Sequence, residues 1–297
     1  MQILKLGYRP WNGQRLSSGI FRWLPISRVG LRVVLQRKIF WFFLLLGLMN
    51  FLFYFAIIYF VAQLKAEVEQ RGGRLPPFVA EQVFVGSGKS YRDFVSGQSM
   101  VVMLFLGFAG SVLVGNDFRF GAIPFYLSKP ISKLHYFLGK LGAASLLTSF
   151  ITLVPATLLF VEYGSLTEST NYFGENWRIL LAIVGYGGLV SVTSAVLVLG
   201  ISALLQKTIP IVVAWGAIFA FLPIVSQVIR NAIPGDPWQW DLLSYWDVLR
   251  WTSCCMFGIE FEKYSPRMPA CAAVLALWIG LSLWAFWRRV QAVEVVK

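Results

Sequence analysis

The sequence is poor in charge, histidine and cysteine. Only 13% of its 297 residues are Asp, Glu, Lys or Arg, whereas soluble domains carry about 25%. The single histidine, His135, excludes bis-histidine haem ligation and most metal sites. Cys254, Cys255 and Cys271 are too few for a disulfide framework and lack metal-ligand spacing. We therefore expect no catalytic residue, cofactor or metal site in this chain.

Long apolar runs take the place of charge. Hydrophobic residues make up 57% of the chain and the mean hydropathy is +0.67. Crossing a bilayer takes about 20 apolar residues, and six stretches without an ionisable residue reach that length. They are 39–64, 94–116, 141–161, 179–206, 208–229 and 268–287. The sequence predicts an all-α integral membrane protein with six transmembrane helices.

These six stretches contain no Asp, Glu, Lys, Arg or His. Proton- and ion-coupled carriers usually place such groups within the membrane, so this class of transporter is disfavoured. The run Gly86-Ser87-Gly88-Lys89-Ser90 looks like the end of a phosphate-binding Walker A loop, but Val83 stands where that loop needs its first glycine. The chain is therefore not expected to hydrolyse ATP.

Charge asymmetry predicts the orientation. With the amino terminus inside, segments 1–38, 117–140, 207 and 288–297 hold 16 basic and 2 acidic residues. The outside segments 65–93, 162–178 and 230–267 hold 10 basic and 12 acidic residues. This is a positive-inside pattern. It places both termini in the cytoplasm and accounts for the net charge of +12 without a nucleic-acid partner.

The basic arm 1–38 has no acidic residue. Within it, Ile26–Lys38 is typical of an amphipathic helix lying in the headgroup layer before the first span. Ile26, Val29 and Val33 are predicted to share its apolar side, with Arg28, Arg32 and Arg37 largely elsewhere. A disordered basic tail is the alternative.

The outer loop 230–267 interleaves aromatic and acidic residues. Because amphipathic aromatics favour the membrane interface, we expect one or two short helices at, or dipping into, the outer leaflet. An ordinary aromatic belt around a loop is the alternative. The candidates for an outer gate are Trp238, Trp240, Trp246 and Trp251.

The polar stretch Asn116–Lys140, which we call the motif segment, is longer and richer in charge, glycine and aromatics than a simple connection needs. It contains an acidic residue after the second span, then a glycine, a Leu-Ser-x-Pro-Ile-Ser core and a lysine at the third span. In this sequence they are Asp117, Gly121, Leu127-Ser128-Lys129-Pro130-Ile131-Ser132 and Lys140. With the six-span plan and the basic entry helix, this motif resembles the membrane subunits of ABC-2 type transporters.

The resemblance implies a cytoplasmic coupling helix that docks into a groove of a separate ATPase. The implied coupling residues are Asp117, Arg119, Phe120, Gly121, Leu127, Ser128, Pro130 and Lys140, and the entry helix contributes an adjoining contact. It also implies two ATPase subunits, a second membrane subunit that is identical or homologous, and a transport path between the two, in an exporter of the bacterial inner membrane. Pro124 departs from the pattern and leaves the helix start within the segment open.

Two other classes stay open. A non-transporting membrane scaffold would use the basic segment to recruit a different cytoplasmic protein, or the segment would simply anchor a loop at the headgroups. A secondary carrier is disfavoured by the absence of charge in the predicted spans. The sequence specifies no substrate, because an apolar, aromatic span surface suits an amphipathic cargo and lipid contact equally well.

Overall fold

A computed structural model describes residues 19–70, 86–127, 131–166, 172–235 and 238–290. These residues form helices, and no strand occurs among them. Six of the helical stretches are long and apolar enough to cross a membrane, as predicted. Spans 1 to 6 are Lys38–Leu64, Gly88–Arg119, Lys133–Leu166, Trp177–Leu205, Thr208–Ala232 and Phe261–Arg289. The helix that contains span 1 continues to Gln70.

Several spans are longer than the sequence indicates. The third runs Lys133–Leu166 instead of 141–161, and the second begins at Gly88. The helices therefore extend beyond the six predicted stretches and include ionisable residues at their ends. Glu162 lies in span 3, and both of its carboxylate oxygens are buried without a hydrogen-bond partner among the described residues.

Spans 2 and 4 form the centre of the bundle. In an apolar window of 18 residues, 72% of the residues of span 2 and 67% of those of span 4 are buried. The corresponding fractions are 11% for span 1 and 17% for span 5. Small residues allow close approach at the centre. A Cβ on Gly200 of span 4 would lie 2.7 Å from Ser282 Cα of span 6.

Spans 2, 3, 5 and 6 are not continuous α-helices. Span 3 consists of Lys133–Ile151 and Leu153–Leu166, interrupted at Thr152. Pro155 explains the interruption, because it has no N–H to donate to the carbonyl of Ile151. Spans 2 and 5 each contain a π-helical segment, which is an inserted wide turn. In span 2 the π-helical segment Ser111–Gly115 lies between the α-helices Gly88–Gly110 and Asn116–Arg119. In span 5 the π-helical segment Ala217–Phe221 lies between the α-helices Thr208–Gly216 and Leu222–Ala232.

The connection between spans 5 and 6 enters the bundle. It comprises a 3-10 helix Trp238–Leu243 and an α-helix Tyr245–Met256. Span 6 then begins with the short turns Phe261–Tyr264 and Ser265–Arg267 and continues as the α-helix Met268–Arg289. We call Tyr245–Met256 the inserted helix. Its first residue is buried against Thr193 and Ser194, about 24 Å along span 4 from Trp177. The expected short helices are present, and one of them reaches the middle of the bundle.

A helix precedes the first span. A 3-10 turn Gly19–Arg22 leads into an α-helix Trp23–Leu35, which we call the N-terminal helix. Gln36 and Arg37 form a non-helical break between this helix and span 1. The buried residues of this helix are Ile26, Ser27, Gly30 and Val34. Val29 and Val33, predicted to share the apolar side with Ile26, are exposed. Of the three residues on the predicted apolar side, only Ile26 packs against the bundle; the contact with span 3 also uses the small residues Ser27 and Gly30, which allow close approach.

Two ends of the bundle can be distinguished. The basic end carries the motif segment and the tight connection Gln206–Lys207. This connection lies close to the end of span 2, because a Cβ placed on Gly115 would be 3.2 Å from the carbonyl oxygen of Gln206. The aromatic end carries the connection between spans 5 and 6 and the short helix Tyr172–Glu175. The buried ion pair Asp117–Lys140 lies at the basic end, and the ion pair Arg230–Asp241 lies at the aromatic end.

Candidate docking site and cavity

The ends of the motif segment are held together by an ion pair. Lys140 Nζ in span 3 lies 2.6 Å from Asp117 Oδ2 at the end of span 2, and both side chains are largely buried. The hydroxyl of Tyr136 donates a hydrogen bond of 2.8 Å to the same carboxylate oxygen. The sequence named Asp117 and Lys140 separately, and the structure brings them into contact. Charge-assisted hydrogen bonds of this kind are the stronger class in proteins.

Aromatic rings enclose the ammonium group. Lys140 Nζ lies 5.7 Å from the ring centre of Tyr126 and 5.5 Å from that of Tyr136. This distance allows a cation–π interaction, which is strengthened where water is excluded. Burial and the nearby Asp117 carboxylate raise the pKa of the Tyr126 hydroxyl. The cluster therefore offsets the cost of burying Lys140, which is 5% exposed.

A tight turn follows the ion pair. Gly121 has φ +64°, a left-handed conformation that favours glycine. The N–H of Ala122 donates to the carbonyl of Asp117 at 2.8 Å, which closes the end of the helix. A short helix, Ile123–Leu127, begins immediately afterwards. Pro124 lies in its first turn, where the missing N–H costs no intrahelical bond. The open question about the helix start is thereby answered.

Two large apolar side chains stand out from this turn. Phe120 is 72% and Phe125 73% exposed, and the guanidinium of Arg119 lies 5.5 Å from the Phe120 ring centre. Phe118 and Tyr126 instead pack against the core. Phe120 and Phe125 are thus the two mainly exposed aromatic side chains of this stretch. Ser128 and Pro130 lie outside the described residues, as does the side chain of Leu127.

The third span starts with a reciprocal cap. Ser132 Oγ accepts from the N–H of His135 at 3.3 Å, and the ring nitrogen Nδ1 of His135 accepts from the N–H of Ser132. This capping box satisfies two backbone donors that a helix start leaves free. The only histidine of the chain therefore has a local structural role.

The N-terminal helix packs directly beside Lys140. The hydroxyl of Ser27 donates to the carbonyl of Gly139 at 2.8 Å. A Cβ on Gly139 would lie 2.5 Å from Ile26 Cβ, so only glycine fits at this crossing. The helix and the ion pair thus meet the same turn of span 3. Arg28 and Arg32 lie exposed on the helix and Arg37 in the break after it.

The four tryptophans of the aromatic end have different surroundings. Trp238 and the buried Trp251 lie 5.3 and 4.9 Å from the guanidinium of Arg267, measured to their ring centres. Trp240 is 41% exposed. The indole N–H of Trp246 donates to the carbonyl of Phe219 at 2.9 Å. Pro223, four residues after Phe219, has no N–H for that carbonyl, so the inserted helix satisfies an acceptor that span 5 leaves free.

A second group at the aromatic end contains charged residues. Asp241 is 3% exposed, and its Oδ2 accepts from Arg230 at 2.8 Å. The hydroxyl of Ser226 donates to Oδ1 at 3.4 Å. Burial raises the pKa of Asp241, and Arg230 counteracts part of that effect. This group fixes the 3-10 helix Trp238–Leu243 to the end of span 5.

An apolar cavity of about 450 Å³ lies between spans 2 and 5. Its walls include Met100, Leu104, Phe108 and Trp215, and Trp246 contacts it from the inserted helix. The indole N–H of Trp215 donates to the carbonyl of Met103 at 2.7 Å, and Gly107 leaves room for its ring. Of the four gate candidates, Trp246 alone is among these lining residues. The sequence prediction missed the cavity, although a single tryptophan in an otherwise aliphatic part of span 5 is a signal for it.

The residues of the described ranges include no cluster of three or more His, Cys, Asp or Glu side chains that could hold a metal ion. Two other features of the described residues are suited to contact with a partner or ligand: the exposed pair Phe120 and Phe125 at the basic end, and the apolar cavity between spans 2 and 5. No protein-family model matches this chain, and no curated protein matches it either.

Proposed function

We propose that this chain is the membrane subunit of an ABC-2 type exporter, working with a separate ATPase in a bacterial inner membrane. The observation that carries the proposal is the contact between Lys140 and Asp117. These two residues frame the motif segment. Their pairing joins spans 2 and 3 at the base of an exposed turn, so a force applied to the turn acts on both spans.

The docking surface consists of the turn and the N-terminal helix. Phe120 and Phe125 project from the turn, and aromatic side chains are the residues that most often dominate binding energy at protein interfaces. Arg119 and the exposed Arg28 and Arg32 add positive charge, which steers and orients a partner. An ATPase groove that takes up the two phenylalanines would contact both elements at once.

In this proposal the basic end faces the cytoplasm. The excess of Lys and Arg in segments 1–38 and 117–140 supports that orientation. ATP would bind and be hydrolysed on two copies of the partner ATPase. The chain itself would contribute no catalytic group and would convert closure of the ATPases into movement of its spans.

Transport would take place beside spans 2 and 5. The cavity of about 450 Å³ between them is lined by apolar side chains and a single serine, Ser96. Its size falls within the range of small-molecule sites, about 300–1,000 Å³. A second membrane subunit, identical or homologous, would complete the path. The cavity favours transport over a scaffold role, because a scaffold needs no site of small-molecule size.

Co-purification tests the docking surface. The chain is expressed with an ATPase that carries a complete Walker A sequence, and the retained ATPase is quantified together with ATP-dependent transport. We expect Phe120→Ala/Phe125→Ala to lose at least 10-fold of the bound ATPase, because two exposed aromatic anchors are removed. Phe53→Ala/Phe60→Ala is the matched control, since these phenylalanines are equally exposed but lie on span 1.

The second part of the experiment substitutes Gly121, the glycine of the turn. Gly121→Val forces a β-branched residue into a left-handed conformation and should uncouple ATP hydrolysis from transport. The proposal fails if no ATPase is retained by the unaltered chain, or if Gly121→Val and Pro130→Ala leave ATP-dependent transport intact. Retention of another cytoplasmic protein, without ATP-dependent transport, would support the scaffold alternative.

A further inference from the structure

A second cavity lies at the basic end, and its lining is charged. It has a volume of about 360 Å³. Arg37 reaches it from the break before span 1, Asn116 and Arg119 from the end of span 2, and Thr208 from the start of span 5. Three separate elements thus contribute polar groups to one space. Its remaining walls are Ser111, whose hydroxyl donates to the carbonyl of Phe108, and the apolar residues Ile39, Phe108, Val112 and Phe120.

Among the described residues, no carboxylate neutralises the positive charge in this cavity, since none is among its lining residues. Asp117, the nearest acidic residue in sequence to Arg119, is paired with Lys140. Arg37 and Arg119 make no ion pair with a described residue. Two guanidinium groups and the amide of Asn116 therefore offer donors suited to an anion.

The charged cavity adjoins an apolar surface. Phe108 lines both this cavity and the apolar cavity between spans 2 and 5. Above it on span 2, Leu104 and Met100 are 46% and 64% exposed and line the apolar cavity as well. From Phe108 to Ser96 the helix rises about 18 Å, close to the roughly 15 Å depth of one bilayer leaflet.

We propose that these two cavities together bind one anionic membrane lipid. Its phosphate would lie between Arg37 and Arg119, with Asn116 and Thr208 as further donors. An acyl chain would follow the stripe Phe108, Leu104 and Met100 towards Trp215. A free anion would use only the charged half of this site, and a neutral lipid only the apolar half. Because Phe108 lines both halves, they are adjacent, which favours a molecule that has both a charged and an apolar part.

This inference does not rest on the proposed transport function, because lipid binding is measured on this chain without an ATPase. The two proposals therefore fail separately. An anionic lipid is available at this end if the basic end faces the cytoplasm, since the cytoplasmic leaflet carries negative charge.

Native mass spectrometry of the full chain, purified and stripped of lipid, tests the site. Phosphatidylglycerol is titrated alongside phosphatidylcholine with identical acyl chains, and inorganic phosphate serves as a competitor. We expect one phosphatidylglycerol molecule to bind with clear preference. Each arginine near a headgroup contributes about 5-fold in affinity, so Arg37→Gln/Arg119→Gln should weaken binding about 30-fold.

Arg28→Gln/Arg32→Gln is the matched control, because it removes the same charge from exposed positions that do not line the cavity. It should retain the preference for phosphatidylglycerol. Leu104→Trp, at an exposed position, fills the apolar half and should weaken binding with both arginines in place. Equal losses in the two arginine pairs, equal binding of phosphatidylcholine, or displacement of the lipid by millimolar phosphate would overturn the proposal.

Discussion

Lys140 Nζ lies 2.6 Å from Asp117 Oδ2, so the two ends of the motif segment meet in a buried ion pair. The pair also receives a hydrogen bond from Tyr136. Because burying a charge is costly unless it is paired, the two residues depend on each other. The exposed turn between them therefore has a fixed base.

Removing the acidic partner should destabilise the protein strongly. Asp117→Asn leaves the ammonium of Lys140 buried without a counter-charge. Breaking a buried pair in this way costs about 3–5 kcal/mol. Thermal unfolding of the purified protein in detergent should show a large fall in midpoint, and the double variant Asp117→Asn/Lys140→Met should recover much of it.

Lys263→Gln is the control for that experiment. It removes a cation from an ion pair whose two side chains are both more than half exposed. The unfolding midpoint should stay unchanged, because exposed pairs are solvated and screened. If Asp117→Asn behaves like Lys263→Gln, the ion pair does not hold the segment.

A larger side chain at Gly139, where the N-terminal helix crosses span 3, should destabilise the packing of that helix. Gly139→Leu introduces atoms where Ile26 already lies within 2.5 Å of the Cβ position. Overpacking costs about 1–3 kcal/mol, and the helix should detach from span 3. Limited proteolysis should then cut near Trp23–Leu35 sooner than in the unaltered protein. Gly188→Leu, which has open space at its Cβ position, should leave the cleavage pattern as it was.

The inserted helix depends on the hydroxyl of Tyr245. This hydroxyl lies 2.6 Å from Thr193 Oγ1 and 3.1 Å from Ser194 Oγ. Tyr245→Phe leaves these buried groups with one partner fewer and should cost about 1–2 kcal/mol. Denaturation in detergent measures the loss. Tyr59→Phe, on the exposed surface of span 1, should have no effect, and equal effects of both changes would contradict the depth of the inserted helix.

Asp241 should make stability depend on pH. Burial raises the pKa of its carboxyl in the folded protein, with Asp247 adding to the effect and Arg230 and Arg267 opposing it. The folded protein then holds this proton at higher pH than the unfolded chain, so stability falls as pH rises through the folded-state pKa. The relevant interval lies above the ordinary aspartate pKa of about 3.9.

Unfolding midpoints measured across that interval should show the fall. Asp241→Asn should flatten it, because the amide does not titrate. Glu262→Gln removes an exposed carboxylate from the same end of the bundle and should keep the slope. A slope that persists in Asp241→Asn would assign the pH dependence to another group.

Glu162 gives a further test of burial. Its carboxylate oxygens are enclosed in span 3 without a hydrogen-bond partner among the described residues. An unpaired buried polar group costs free energy, so Glu162→Leu should raise the thermal midpoint. Glu175→Leu, at an exposed position of the short helix Tyr172–Glu175, should not. A lower midpoint for Glu162→Leu would mean that the carboxylate has a stabilising partner.

The number of spans could be predicted from the sequence because each apolar run is long enough to cross a bilayer. Their limits could not. The prediction ended a span wherever an ionisable residue occurred, and it therefore began span 3 after Lys140. In the structure the helix starts at Lys133, because Asp117 and two tyrosine rings compensate the charge of Lys140.

The site was only partly predictable for a related reason. Hydrophobicity grouped Val29 and Val33 with Ile26 on the apolar side of the N-terminal helix, but it did not indicate that Ser27 and Gly30 face span 3 at the close crossing. The depth of the inserted helix depends on Thr193 and Ser194, which are remote from Tyr245 in sequence. Local patterns carry no information on such pairings. The motif, in contrast, named both members of the Asp117–Lys140 pair.

The π-helical segment Ser111–Gly115 sets the direction of the last turn of span 2. A π-helical turn contains about one residue more than an α-helical turn, and each residue of an α-helix turns the chain by about 100°. Deleting one residue there would restore a regular helix and swing Asp117 by that angle, away from Lys140. The additional residue of the π-helical turn thus rotates the end of span 2 relative to its buried middle. This rotation points the carboxylate of Asp117 towards Lys140 of span 3.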